Sequence, residues 1–381
     1  MIRHATTALI LTVLSLCALG ALMVFSVCTV HTGGMWTFVK HLIAMGVGLA
    51  LFTWLLHRDY HKLGEPRVFL GMIVVSVALL ALVLLVGKVT DGATRWIKIA
   101  GFSLQPSELA RVALIVFLAV KLTQYQNRVR NFVMGCFFPM ATAFVFSLPV
   151  VAQRDAGIPF MMLLTAGVMV FVAGARWSHL AGAAAVGAGF IYALVKFAPH
   201  RLERVMVFLD PWSHREDGGW QLIQSMSAFA QGGMFGKGPG AGEQKLGYLP
   251  ADHTDFIFAM IGEELGFVGT LLTVLAFLVL AWAMLRIALN APDMFGTMLA
   301  TGFCVMICAQ AYFIIAVNLC LLPTKGLPLP FVSYGGTSIM VCLAAAGIVA
   351  NIGSQAAAAQ GVQTPSVHTA PLRGGPMQAG A

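Results

Sequence analysis

Charge is what this sequence lacks most. Of its 381 residues only 10% are Asp, Glu, Lys or Arg, against 59% hydrophobic, and the mean hydropathy is +0.86. A soluble domain is about 25% charged and about 45–50% apolar. The deficit comes with repeated apolar runs near the ~20 residues that a bilayer crossing needs, which excludes a soluble globular fold and places the chain in a membrane. C-x-x-C pairs are absent as well. The seven cysteines lie in or beside apolar runs, so no disulfide framework is visible. Cys304 and Cys308 share a helix face by spacing and read as small packed thiols rather than a metal pair. No internal repeat is strong enough to argue an inverted-repeat transporter.

What charge exists is net positive, +8. The basic residues form short clusters between apolar runs, not one face or one domain, so a nucleic-acid partner is rejected and a role in membrane orientation is assigned. The first apolar run extends to Val30. It is too long for a signal-peptide core and has no A-x-A-like exit, so it is read as a retained span. The predicted fold class is an all-α polytopic membrane protein with about ten transmembrane helices, near 8–30, 37–56, 68–87, 106–124, 132–152, 158–175, 179–198, 264–287, 296–321 and 333–353. With both termini cytoplasmic, Arg58, Lys62, Arg67, Lys121, Arg128, Arg130, Arg176 and Arg286 fall inside; Lys88, Arg95 and Lys98 are an exception outside. Residues 1–355 form the membrane domain, with one large outside loop over 199–262 between spans seven and eight. The Ala/Gly/Pro-rich tail, 356–381, is expected to be a disordered cytoplasmic segment.

Carboxylates crowd one border of this apolar chain, in YLPADHTDFIFAMIGEELG. Asp255 follows His253 and Thr254 and precedes Phe256. Partial desolvation there makes a carboxylate a better base; the plain alternative is an acid favoured by a helix N-terminus. Asp252, Glu263 and Glu264 fit that plain reading equally well. His253 and Asp255 alone are weak evidence for metal. Gln105-Pro106-Ser107-Glu108 with Arg111 places Pro106 in a first helical turn, Ser107 as a possible cap, and Glu108 and Arg111 in a polar stripe that is either a structural ion pair or part of a site. Arg95, Trp96 and Lys98 read as an interfacial segment able to meet a lipid phosphate or simply to anchor. Gly236 to Gly242 lacks the spacing of a nucleotide loop and reads as a flexible turn. The Pro/Gly-rich stretch from Leu322 to Ser338 forbids regular helix and reads as a re-entrant cavity wall, with Lys325 available to an anion, or as a rigid connector.

GATRWIKIAGFSLQPSELAR, DPWSHREDGGWQLIQS, YLPADHTDFIFAMIGEELG and LPTKGLPLPFVSYGGTS, in that order, resemble the signatures of the SEDS family (shape, elongation, division and sporulation), and the DPW, GWQ and LPTKG forms resemble its division members more than its elongation members. The resemblance implies a peptidoglycan glycosyltransferase that polymerises lipid II, the undecaprenyl-pyrophosphate disaccharide-peptide, during cell division in the bacterial inner membrane. It implies Asp255 as the catalytic residue, a class B penicillin-binding protein as partner, and further division-complex membrane proteins. The transfer inverts configuration, so it needs a base for the acceptor hydroxyl and positive charge for the departing pyrophosphate. Arg95, Lys98, Lys245 and Lys325, or a divalent cation (Mg or Mn), are candidates for the second role. Glu108 and Arg111 would shape the cavity, and Gln221, His253 and Ser333 are further substrate-binding candidates. Three positions depart from the pattern: Arg154 stands for Pro, Arg111 for Lys, and Ile314 where Asn is expected before LLPTKG. A lipid II flippase and a non-catalytic scaffold for the penicillin-binding protein remain the alternatives.

Overall fold

The computed structural model describes residues 2–30, 32–86, 88–90, 93–99, 102–153, 155, 157–196, 206–216 and 218–362. Helices occupy all the places where spans are predicted: α1 (Ile2–Cys28), α2 (Gly34–Leu56), α3 (Pro66–Val86), α4 (Pro106–Gln124), α5 (Val133–Ala152), α6 (Gly157–Val172), α7 (Trp177–Lys196), α9 (Ile257–Leu289), α10 (Met294–Asn318) and α11 (Gly336–Val362). An additional helix, α8 (Gly219–Gly232), lies within the long loop. Among the described residues seven helices are long and apolar enough to cross a membrane; α6 is apolar but shorter. The chain is therefore a helical, multi-pass membrane protein.

The exposure pattern is that of a protein in lipid. Apolar side chains such as Val74 and Leu85 face outward, while Glu108, Arg111, Gln310 and Asn318 are buried. Hydrocarbon cannot satisfy a polar group, so such groups turn inward and pair. The most apolar stretches of α11 and α10 are 83% and 67% buried, against 22% for α2 and α3, so the last two helices form the centre. Packing follows from this: α2 lies along α11, and α1 along α9 and α11.

Four boundaries differ from the sequence reading. The described residues of the stretch 88–104 are not simply an interfacial segment. They form a small antiparallel meander, β1 (Lys88–Thr90), β2 (Ala93–Ile99) and β3 (Phe102–Leu104), in the order β1-β2-β3. Alternating Thr94, Trp96 and Lys98 with Ile97 and Ile99 is strand-like patterning. Helix α9 starts at Ile257 and not near 264: the stretch ahead of Gly266 is helical too, joined to the longer part across a kink at that residue (φ 67°, ψ −164°), where a Cβ would meet the carbonyl oxygen of Met234 and the N of Gly236. The end of the loop expected over 199–262 is thus helical. Helix α11 runs to Val362, past residue 355, since Gln355-Ala356-Ala357-Ala358-Ala359-Gln360 is strongly helix-forming; residues 363–381 lie outside the described residues. Finally, Pro106 does open α4, but the flanking cap position is Gln105 and Ser107 sits inside the helix.

Candidate active site at the rim of α9

The segment before α9 is a compact turn. Ala251 has φ 58°, and its carbonyl accepts from the N–H groups of Thr254 (3.1 Å), Asp255 (3.1 Å) and Phe256 (3.3 Å). The chain from Leu319 to Gly335, which joins α10 to α11, is irregular and held against that turn. Tyr334 N–H donates to the His253 carbonyl (2.9 Å). The Ser333 hydroxyl donates to the Thr254 carbonyl (2.5 Å) and accepts from Leu329 N–H (2.8 Å). Leu327, Leu329, Phe331 and Val332 are buried, and Gly20 of α1 lets the Phe331 and Val332 backbone approach closely; protein covers this irregular backbone, which both a cavity wall and a rigid connector require. Cys320 (φ 57°) and Phe331 (φ 65°) hold left-handed conformations that are unfavourable for their side chains.

Asp255 is half-buried on this rim. A Cβ built on Gly326 would lie 3.0 Å from Asp255 Oδ2 and 3.8 Å from Arg95 Nη1, so carboxylate and guanidinium face one point across a residue without a side chain. Arg95, on β2, also pairs with Asp155 (Nε–Oδ2 3.5 Å). Asp155 in turn accepts the Gly157 and Ile158 N–H groups (2.9 and 3.3 Å) at the start of α6. The meander, the α10–α11 connection and the start of α9 therefore converge here. Lys325, next to Gly326, is half-buried. His253 is oriented by Asp252 (Nδ1–Oδ1 2.9 Å), and its ring lies 5.7 Å from that of Tyr334.

Other predicted residues fall elsewhere. Lys245 does not stand open to an anion: it is buried, and its ammonium donates to Glu264 Oε1 (2.8 Å), Ser26 Oγ (2.8 Å) and the Gly240 carbonyl (2.7 Å). All three of its donors are used. Glu263 and Glu264 are not solvated helix-end acids either. Glu263 accepts the Glu243 and Gln244 N–H groups and Lys237, and Glu264 accepts Gly240 N–H. Residues 236–244 thereby wrap two carboxylates, and the expected flexible turn is an ordered carboxylate cradle. Gln221 is half-buried on α8, one turn from Ser225. The Lys98 side chain is outside the described residues.

Glu108 and Arg111 form a buried ion pair (3.1 Å) inside the helix bundle. Arg111 also donates to Gln310 Oε1 (2.7 Å) and to the Met306 carbonyl (3.1 Å). That carbonyl lies in a π-helical turn of α10, Val305–Ala309, the kind of irregularity that releases a backbone acceptor. Gln310 Nε2 continues to the Pro328 carbonyl (2.7 Å), joining the ion pair to the rim wall. The Glu108 Oε1, Ser107 Oγ and Gln105 Oε1 atoms are buried without a protein partner among the described residues.

The sequence reading misses Asn318. It expects Asn at 314; Ile314 is fully buried, and Asn318, one turn further, contacts the Asp255 backbone. A lone amide within the apolar run IIAVNLCLL was the available signal.

These features define a class: a multi-pass membrane protein in which an acid and a cation face each other at one end of its helices, beside an irregular, largely buried connection. The chain belongs to the cell cycle protein family of FtsW, RodA and SpoVE, whose pattern matches residues 7–358. It is 39% identical over 348 residues (88% of this chain, 93% of the relative) to a probable peptidoglycan glycosyltransferase FtsW of Geobacter sp. (strain M18). It is 38% identical over 351 residues (90% and 95%) to the stage V sporulation protein E of Bacillus subtilis. Among solved structures, a chain of a peptidoglycan synthase complex that coordinates polymerization and crosslinking superposes with a TM-score of 0.74 (28% identity, covering 91% of this chain and 97% of that one). The rod shape determining protein RodA of Thermus thermophilus superposes at 0.64 (26% identity, 91% and 96%).

Proposed function

We propose that this protein is a peptidoglycan glycosyltransferase of cell division, which polymerises lipid II by inverting transfer and releases undecaprenyl pyrophosphate. The observation that carries the reading is the convergence of Asp255 and Arg95 on Gly326 at the α9 rim. Asp255 removes the proton from the acceptor sugar hydroxyl as that oxygen attacks the donor anomeric carbon. The C–O bond to the pyrophosphate breaks on the opposite face, and Arg95, with Lys325 and Lys98 as further candidates, offsets the charge that develops there. His253 and Ser333 shape the turn that carries the base. Glu108 and Arg111 brace the bundle beneath the wall, and the polyprenyl chain lies among lipid-facing apolar side chains.

A Mg or Mn ion would add charge at the pyrophosphate. Among the described residues no group of three His, Cys, Asp or Glu side chains converges. Such an ion would be held chiefly by the substrate phosphates, as Mg²⁺ commonly is, while Asp255 serves the acceptor hydroxyl. The partner on this reading is a class B penicillin-binding protein within the division complex. The location is the bacterial inner membrane, with both termini cytoplasmic and the 199–262 loop outside.

The deciding measurement uses labelled lipid II in proteoliposomes holding the protein and its penicillin-binding partner, scored for polymer and for translocation. Polymer that disappears with Asp255→Ala is the expected result. Translocation without polymer would make the protein a flippase, and neither product would leave a scaffold.

A further inference from the structure

Asn318 closes α10 and is fully buried. Its amide bridges two elements. Nδ2 donates to the Asp255 carbonyl (2.8 Å) and to the Ile314 carbonyl of its own helix (2.9 Å), while Oδ1 accepts from Ala259 N–H (3.0 Å). Two carbonyl partners and one N–H partner fix which end of the amide points where. The Asn318 carbonyl accepts from Ser225 Oγ of α8 (2.7 Å), a bond to its backbone and not to its amide.

These bonds meet a need that the local sequence creates. Helix α9 begins at Ile257, and the residue before it, Phe256, has no side-chain oxygen to cap it. Ala259, the third residue, has no i−4 carbonyl within the helix; its N–H donates to the i−3 carbonyl of Phe256 (3.0 Å) and shares that donor with Asn318. Asn318 caps it from another helix. The peptide following Asp255 is held through its carbonyl by Asn318, and the peptide preceding it through the Asp255 N–H, which donates to the Ala251 carbonyl (3.1 Å). With both flanking peptides held, only χ1 and χ2 decide where the carboxylate points.

We infer that Asn318 is a positioning residue for the Asp255 carboxylate, capping α9 in trans and holding the peptide that carries the base toward Gly326 and Arg95. This rests on Asp255 being the base, as proposed above. An amide suits the task because it donates and accepts at once and stays neutral at every working pH, so it adds no charge beside the acid. Ile314, where an Asn is expected from the family pattern, cannot do this.

The test is steady-state polymerisation of labelled lipid II by the full-length protein with its partner in proteoliposomes, with thermal melting of each variant. Asn318→Ala should lower kcat at least about tenfold with KM within about twofold, and should move the acidic limb of the kcat/KM–pH profile. Ser225→Ala loses a bond to the same residue without touching Asp255, and should keep native kcat. Where Asn318→Ala is not recovered folded, Asn318→Gln, with its amide one methylene too far out, should show the same kcat loss. Native kcat with an unmoved pH profile in the Asn318 variants, a change confined to KM, or an equal kcat loss in Ser225→Ala overturns the inference. Asp255→Ala is measured alongside. If it still polymerises, the base assignment falls and takes this inference with it; if it is inactive while Asn318→Ala is native, only the inference about Asn318 falls.

Discussion

Lys245 and Glu264 form a buried ion pair, Nζ to Oε1 2.8 Å, with side chains 3% and 0% exposed, and Ser26 of α1 donates to the same carboxylate oxygen (2.6 Å). This explains two adjacent acids at the edge of an apolar helix. They anchor the 236–244 loop and tie α1 to α9.

Lys245→Met should therefore destabilise the fold. Removing one partner of a buried pair leaves an uncompensated charge and costs roughly 3–5 kcal/mol. The expected result is a lowered melting temperature in detergent, largely restored in Lys245→Met/Glu264→Gln. Polymerisation per folded molecule should stay within about twofold of native. A folded Lys245→Met that binds lipid II tenfold more weakly would return Lys245 to the pyrophosphate.

Gly326→Ala tests the gap between acid and cation. The new Cβ would sit 3.0 Å from Asp255 Oδ2, tighter than ordinary packing, so the carboxylate must shift by a few tenths of an ångström. Gly326 is exposed and no positive φ is required there, so melting should be unchanged. Turnover should drop by about tenfold to a hundredfold, as misplaced reacting groups do. Native turnover in this variant would place the chemistry elsewhere.

Arg111 distinguishes charge from shape. Arg111→Ala strands Glu108 inside the bundle and should cost about 3–5 kcal/mol, read as loss of folded protein on heating. Arg111→Lys keeps the charge but cannot reach Glu108, Gln310 and Met306 together, and should cost about 1–2 kcal/mol. A melting temperature of Arg111→Lys equal to that of the native protein would mean that the fork geometry contributes nothing, and one equal to Arg111→Ala that charge alone contributes nothing.

At the opposite end of α9 a clasp joins two loops and α11. His61 bridges Asp59 (Nδ1–Oδ1 2.7 Å) and Asp293 (Nε2–Oδ2 2.7 Å), Tyr60 donates to Asp293 (2.6 Å), and Gln355 of α11 donates to Asp59 (3.2 Å). Burial by itself would lower the His61 pKa, but the two carboxylates outweigh it and raise the imidazole above its usual 6.5. Hydrogen bonds from the His61 ring and from the His61 peptide N–H hold Asp59 down at about 2, below the usual 3.8. The His61 contribution is complete below pH 6.5 and is lost as pH rises through the raised value; the Asp59 contribution is complete above 3.8 and is lost as pH falls toward 2. The melting temperature should thus be highest between these limits. In His61→Gln the fall on the alkaline side should disappear; its persistence there would assign the pH dependence to other groups.

Much of this protein was written in the order of its residues. The poverty of charge and the ~20-residue apolar runs dictate a multi-pass helical protein, because lipid admits few other solutions. The polar stripe at Glu108 and Arg111 stood out as either an ion pair or part of a site, and the acid at 255 stood out at a border of the apolar helix. Local chemistry was legible wherever neighbours in sequence are neighbours in space. Asn318 reaches Asp255 across 63 positions, Ser26 reaches Glu264 across 238, and the Gly326 gap between Asp255 and Arg95 joins three separate elements. No period or spacing encodes such meetings. They arise only when helices pack, since a buried donor or acceptor must find whichever partner the fold brings within reach. Sequence alone determined which groups had to be satisfied inside the bilayer; the tertiary structure decided who satisfies whom, and so withdrew Lys245 into the scaffold and left Asp255 on the rim.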